Sequence, residues 1–104
     1  MKTVITSTGN QLSSTFDLRF GRAKYFCLYD ENTKETKFYQ NPNTAANSGA
    51  GVKTAEKMVE LEAQKVISGD FGPKAKDLLE KFNIQMVILP DDKRSVKEII
   101  DSIQ

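Results

Sequence analysis

The chain has 104 residues, the size of one domain with a single modest core, so we expect one domain over residues 1–104. Lys and Arg number 15 against 14 Asp and Glu, and the resulting net charge of +1 argues against a general nucleic-acid-binding protein. One cysteine excludes an internal disulfide framework, and no apolar run approaches the roughly 20 residues of a membrane-spanning helix. Because the N-terminus becomes polar too soon for a signal peptide, we expect a cytoplasmic protein without a membrane or nucleic-acid partner.

The first forty residues predict three strands. Lys2–Ser7 is a short β-branched run, which is typical of a strand. Residues 23–30 alternate between two faces, and after a turn at residues 31–33 the segment Thr36–Gln40 returns as the second arm of a hairpin. Residues 41–50 are small and polar and predict a loop.

The rest of the chain predicts helices that alternate with strands. From Gly51 the apolar residues fall on one helical stripe, and residues 65–68 form a short buried strand. Pro73 suits the first turn of a second helix. Residues 84–89 are nearly all apolar, as expected of a strand covered on both faces, and residues 95–103 predict a last helix.

The predicted order is therefore β-β-β-α-β-α-β-α. A hairpin followed by right-handed β-α-β crossovers gives an α/β fold with a five-stranded mixed sheet of order 3-2-1-4-5. In this sheet only the second strand is antiparallel to the others, and helices cover both faces.

Three glycine-bearing loops meet at one edge of this sheet, and we refer to residues 19–22, 48–51 and 69–73 as the glycine rim. The edge is the carboxyl end of the parallel strands, where open α/β sheets bind their ligands. Two of the loops open helices, whose N-termini favour negative charge, and glycine lets main-chain N–H groups approach a ligand. The topology thus predicts an anion-binding rim.

Several rim residues also have plain structural interpretations. Arg19 and Arg22 could face a common anion, but a solvated turn with a salt bridge to Asp17 is equally compatible with the sequence. Phe20 suits the core beside the loop, and Ser48 suits the N-cap of the helix.

The residues give little support for catalysis. The first strand contains no carboxylate of the kind that nucleases of comparable topology need, and the chain has no histidine for acid–base chemistry. It also lacks a phosphate-loop lysine and an activated serine or cysteine pair. Cys27 lies inside a strand pattern, and we expect it to be a small core residue. We therefore predict that the protein is not an enzyme.

The rim motifs resemble those of the dinitrogenase iron–molybdenum cofactor biosynthesis family over almost the whole chain. The resemblance lies in the RFGRAxYF pattern of residues 19–26, in Asn41-Pro42, in Gly49-Ala50-Gly51, and in the segment from Gly69 to Gly72-Pro73. It implies a ribonuclease H-like three-layer fold and a carrier of an iron–molybdenum cofactor precursor or related metal–sulfur cluster, bound non-covalently. Carried over onto this chain, the resemblance and the rim suggest as cofactor-binding residues Arg19, Phe20, Gly21, Arg22, Asn41, Ser48, Gly49, Ala50, Gly51, Gly69, Phe71 and Gly72.

The chain departs from this family in the loop of residues 43–48, where many relatives carry histidine and this chain has none. Soft metals prefer thiolate and imidazole ligands, and only Cys27 could supply one, so no residue is predicted to ligate a metal directly. Two hypotheses follow. The first is a carrier that holds an anionic cluster through main-chain N–H groups and arginines and meets cluster-assembly proteins. The second is a small regulatory or protein-interaction module that binds no cluster.

Overall fold

Eight elements follow one another in the predicted order. The computed structural model describes residues 1–44 and 48–103, so part of the predicted loop of residues 41–50 lies outside the described residues. The elements are β1 (Lys2–Ser7), β2 (Tyr25–Asp30), β3 (Thr36–Gln40), α1 (Ala50–Glu60), β4 (Lys65–Ser68), α2 (Pro73–Lys81), β5 (Gln85–Ile88) and α3 (Val96–Ser102). None of the described helices is long and apolar enough to cross a bilayer.

The strands form one five-stranded sheet in the order β3-β2-β1-β4-β5, as predicted. β2 is antiparallel to both of its neighbours, β1 and β3, whereas β1, β4 and β5 run parallel to one another. The carboxyl ends of the three parallel strands therefore lie at one edge of the sheet. The three loops of the glycine rim begin or end at this edge.

Helices cover both faces of the sheet and create two buried clusters, so the predicted three-layer arrangement is confirmed. On one face, Val4 and Phe26 pack with Ala55 and Met58 of α1 and Leu79 of α2. The other face packs against α3, through a cluster that consists of Ile5, Phe16, Cys27, Tyr29, Ile67, Val96, Ile99 and Ile100. Alternate residues of β1 and β2 serve opposite faces, which is the side-chain period of a strand.

Two local predictions were wrong. The apolar segment at residues 84–89 is not covered on both faces, because β5 is the outermost strand and the side chain of Ile88 is 62% exposed. Ser48 does not cap α1. The N-cap is Gly49, with a φ of 74°, and no side chain among the described residues bonds to that helix end. The positive φ explains the change, since glycine adopts this backbone conformation at little cost.

Candidate anion-binding site at the glycine rim

The three loops of the glycine rim border an open cavity of about 490 Å³. Of the residues that the sequence suggested for binding, those that line the cavity are Arg19, Phe20, Gly21, Arg22, Ala50, Gly51, Phe71 and Gly72. Leu18 and Asp70 also line it and were not suggested. The cavity contains a hydrophobic contact between its loops, because the rings of Phe20 and Phe71 lie 5.0 Å apart between centroids.

Arg19 is held by a buried carboxylate. Asp17 Oδ1 accepts hydrogen bonds from the main-chain N of Arg19 at 2.9 Å and from its Nε at 3.1 Å, and Oδ2 accepts from Nη2 at 3.0 Å. The side chain of Asp17 is 5% exposed and that of Arg19 is 58% exposed. The hydrogen bond and the charge of Asp17 raise the pKa of Arg19 further above its ordinary value. The salt bridge to Asp17 that the sequence allowed is thus present. It fixes the Arg19 guanidinium beside the cavity.

The main chain around Asp17 is itself anchored to β1. The main-chain N of Asp17 donates to Thr6 O at 3.0 Å, and Thr6 Oγ1 donates to Asp17 O at 2.6 Å. Thr6 Oγ1 also bonds to Ser68 Oγ at 2.9 Å, at the end of β4. Arg19 is therefore positioned by the centre of the sheet, although it lies in a loop.

Arg22 has a different environment. Its side chain is exposed, and Nη1 donates to the main-chain oxygen of Thr44 at 2.9 Å. This contact joins the first rim loop to the segment that leads into α1. No described carboxylate forms a salt bridge with Arg22, so its positive charge is available to a ligand in the cavity.

Asn41 supports the loop and does not line the cavity. It is buried, and its Nδ2 donates to Gly21 O at 3.0 Å and to Ala23 O at 2.8 Å. Its Oδ1 accepts from the main-chain N of Asn43 at 2.9 Å. The Asn41 amide nitrogen thus holds the first rim loop against the end of β3, while its oxygen fixes the turn that follows.

Two glycines allow the rim loops to approach closely. A Cβ added to Gly21 would lie 2.8 Å from the main-chain N of Gly51, and one added to Gly69 would lie 2.6 Å from Leu18 O. Both neighbours are main-chain atoms, which cannot move aside as a flexible side chain can. Gly69 therefore packs closely against Leu18, the residue before the first rim loop. Like Ser48 and Gly49, it does not line the cavity.

The N-termini of α1 and α2 carry few negative groups. Their N-caps are Gly49 and Gly72, neither has a side-chain cap among the described residues, and neither first turn contains an acidic residue. Such ends present unpaired N–H groups and a partial positive charge. At α2 one main-chain group is already used, because Gly72 N donates to Asp70 Oδ1 at 3.3 Å.

The residues present do not provide soft ligands for a metal. The chain has no histidine, and Cys27 is buried on the face that packs against α3, away from α1 and α2. Burial raises the pKa of the Cys27 thiol to about 12, so it carries no thiolate at neutral pH. Within residues 1–44 and 48–103, no group of three or more His, Cys, Asp or Glu could hold a metal ion.

Comparison with known proteins places this fold among solved structures. The apo form of the orange protein from Desulfovibrio gigas superposes with a TM-score of 0.91 at 25% identity, over 98% of this chain and 85% of that one. A NifB-like protein from Thermotoga superposes with a TM-score of 0.82 at 26% identity, over 98% and 85% of the two chains. No curated protein matches significantly. Residues 1–104 match the dinitrogenase iron–molybdenum cofactor family, and the chain therefore belongs to that family.

Proposed function

We propose that this protein is a non-enzymatic carrier of an anionic metal–sulfur cluster, either an iron–molybdenum cofactor precursor or a related iron–sulfur or molybdenum cluster. The observation that carries the proposal is the cavity of the glycine rim, where Arg19, Arg22 and the N-termini of two helices border the same space. The cluster is cargo, held non-covalently in the cytoplasm and exchanged with cluster-assembly proteins.

The forces available at the rim are of the right kind for this cargo. A helix N-terminus stabilises an anion by about 0.3–1 kcal/mol, and two of them border the cavity. Arginine adds charge-assisted hydrogen bonds that can reach two acceptor atoms at once. Phe20 and Phe71 line the cavity but are almost fully buried, so they hold the rim loops together from the core and expose little apolar surface to a ligand. None of these contacts requires a protein side chain to ligate a metal ion.

The relatives support the cargo class. The family is named for the iron–molybdenum cofactor of dinitrogenase, and one structural relative is NifB-like. The absence of histidine from the chain and the raised pKa of Cys27 favour a carrier over a catalyst, because neither an imidazole for acid–base chemistry nor a thiolate nucleophile is at hand near neutral pH.

Anaerobic titration with tetrathiomolybdate, followed by visible absorbance, tests the proposal. The wild type should bind, and Arg22→Gln should bind several-fold more weakly, with a larger difference at low than at high salt. Arg94→Gln is the matched control, since it removes the same charge from an exposed residue outside the cavity. The proposal fails if the wild type does not bind, or if Arg22→Gln and Arg94→Gln bind equally.

A protein-interaction module without a cluster is the second candidate. It is favoured by the salt bridge to Asp17, which already compensates Arg19, and by the exposed apolar side chains of Phe82 and Ile88. Absence of binding by the wild type, both to tetrathiomolybdate and to an iron–sulfur cluster donor, would support this candidate.

A further inference from the structure

One acidic side chain lies within the cavity that the proposed function assigns to an anion. Asp70 lines the cavity together with Arg19 and Arg22, and its side chain is exposed. Its main chain is paired with that of Arg19 through an isolated parallel bridge. Its Oδ1 accepts the hydrogen bond from Gly72 N at 3.3 Å, at the N-cap of α2. The carboxylate thus occupies a main-chain donor that a bound anion would otherwise use.

We infer that Asp70 sets the affinity and charge selectivity of the rim by competing with the anionic ligand for the N-terminus of α2. The inference rests on the proposed function and names the residue that limits it. A ligand that enters the cavity meets the repulsion of this carboxylate and must share or replace its contact with Gly72 N.

The charges around the cavity explain why one carboxylate matters. Asp17 compensates Arg19 through two side-chain hydrogen bonds, so Arg22 contributes the remaining positive charge. Asp70 opposes that charge and brings the formal sum of these four groups to zero. This balance limits the electrostatic attraction for an anion, so the ligand can dissociate again. A carrier needs reversible binding of this kind, because it must release what it holds.

The variant Asp70→Asn isolates the charge of the residue. Asparagine keeps a side-chain oxygen that can accept from Gly72 N, but it is neutral. Asp70→Ser is a second neutral variant with a shorter acceptor, for use if the first does not fold. Asp77→Asn is the matched control, because Asp77 is exposed on α2 and does not line the cavity. Thermal unfolding of each variant checks that the fold is retained.

Two tetrahedral oxyanions of similar shape serve as probes, molybdate with two negative charges and perrhenate with one. Because Coulomb repulsion scales with ligand charge, Asp70→Asn should tighten molybdate binding about tenfold and perrhenate binding about threefold at low salt. In 1 M salt, where the screening length is about 3 Å, the variant and the wild type should have nearly the same dissociation constants. Asp77→Asn should leave both dissociation constants unchanged, as measured by isothermal titration calorimetry.

The outcomes separate this inference from the proposed function. If wild type and Asp70→Asn bind the two anions equally well, the inference is wrong and the carrier function stands. An equal gain for Asp70→Asn and Asp77→Asn also overturns it, since the effect would then reflect net charge alone. If the wild type and both neutral variants bind no anion and no tetrathiomolybdate, the carrier function and the inference fail together.

Discussion

Arg19 and Arg22 are three residues apart in one loop, yet their neighbours give them different roles. Arg19 satisfies a buried carboxylate, whereas Arg22 is exposed and bonds to a main-chain oxygen. A sequence pattern cannot separate two such arginines, because the difference depends on the burial of Asp17. The two side chains should therefore respond differently to removal.

We predict that Arg19→Ala lowers the free energy of unfolding by about 1–2 kcal/mol, since it leaves Asp17 buried with one main-chain hydrogen bond. More than half of the Arg19 side chain is in solvent, which keeps the loss below that of a fully buried ion pair. Arg22→Ala should change the same quantity by no more than about 0.5 kcal/mol. Urea unfolding measures both, and equal losses would contradict the distinct roles.

Cys27 gives a prediction about alkaline pH. Its pKa is raised from 9.0 to about 12 by burial, so the unfolded chain loses this proton at a lower pH than the folded protein does. The stability that the protonated thiol contributes is complete below pH 9 and is lost as the pH rises toward 12. The difference in free energy of unfolding between wild type and Cys27→Ala should accordingly fall over that range. A difference independent of pH would show that the thiol is not desolvated.

Among the secondary-structure elements, the sequence predicted strands better than helix ends. Lys2–Ser7, Thr36–Gln40 and Lys65–Ser68 have the predicted bounds, because alternation and β-branched runs record which residues are buried. The start of α1 was misjudged, since Ser48 has the side chain of a cap and only the backbone shows that Gly49 takes the position. The exposure of Ile88 was also missed, although the predicted strand order already placed this apolar strand at the edge of the sheet.

The contact between the first rim loop and α1 gives a matched pair of substitutions. A Cβ on Gly21 would meet main-chain atoms of Gly51 at 2.8 and 2.9 Å, whereas one on Gly51 would lie 3.5 Å from Ala75 Cβ. Gly21→Ala should therefore destabilise the protein by about 1–3 kcal/mol through overpacking. Gly51→Ala should be neutral or stabilising by up to about 1 kcal/mol, because alanine favours the helix. Differential scanning calorimetry compares the two variants. Equal melting temperatures would refute the close contact between Gly21 and the main chain of Gly51.

In the molecule as a whole, the convergence of the three loops was predictable because it follows from strand order alone. Which residues line the cavity could not be predicted from strand order. Asn41, Ser48, Gly49 and Gly69 stay outside its lining, while Leu18 and Asp70 belong to it. Asp70 stands inside the segment Gly69–Gly72 that marks the third loop, so a signal was present. The predicted positive rim did not include this acidic residue, whose position follows from the cavity lining, the bridge to Arg19 and the hydrogen bond from Gly72.

The two faces of the sheet should contribute separately to stability and to binding. Ile99 belongs to the cluster packed against α3, whereas Phe20 and Phe71 of the cavity belong to the other. Ile99→Val should cost about 1 kcal/mol of unfolding free energy and leave the dissociation constant for tetrathiomolybdate unchanged in the folded protein. Chemical unfolding and titration measure the two quantities. A weakened affinity would mean that packing against α3 shapes the cavity.

The glycines of the rim also determine which experiments can detect a ligand. Gly21, Gly51 and Gly72 present main-chain groups to the cavity, and no truncation of a side chain can remove them. An alanine scan would therefore report the arginines and overlook these donors. Amide resonances record main-chain contacts directly, so a ligand of the rim should shift the amide signals of these glycines. The backbone arrangement itself can persist while side chains diverge, since two solved structures share this fold at 25% and 26% identity.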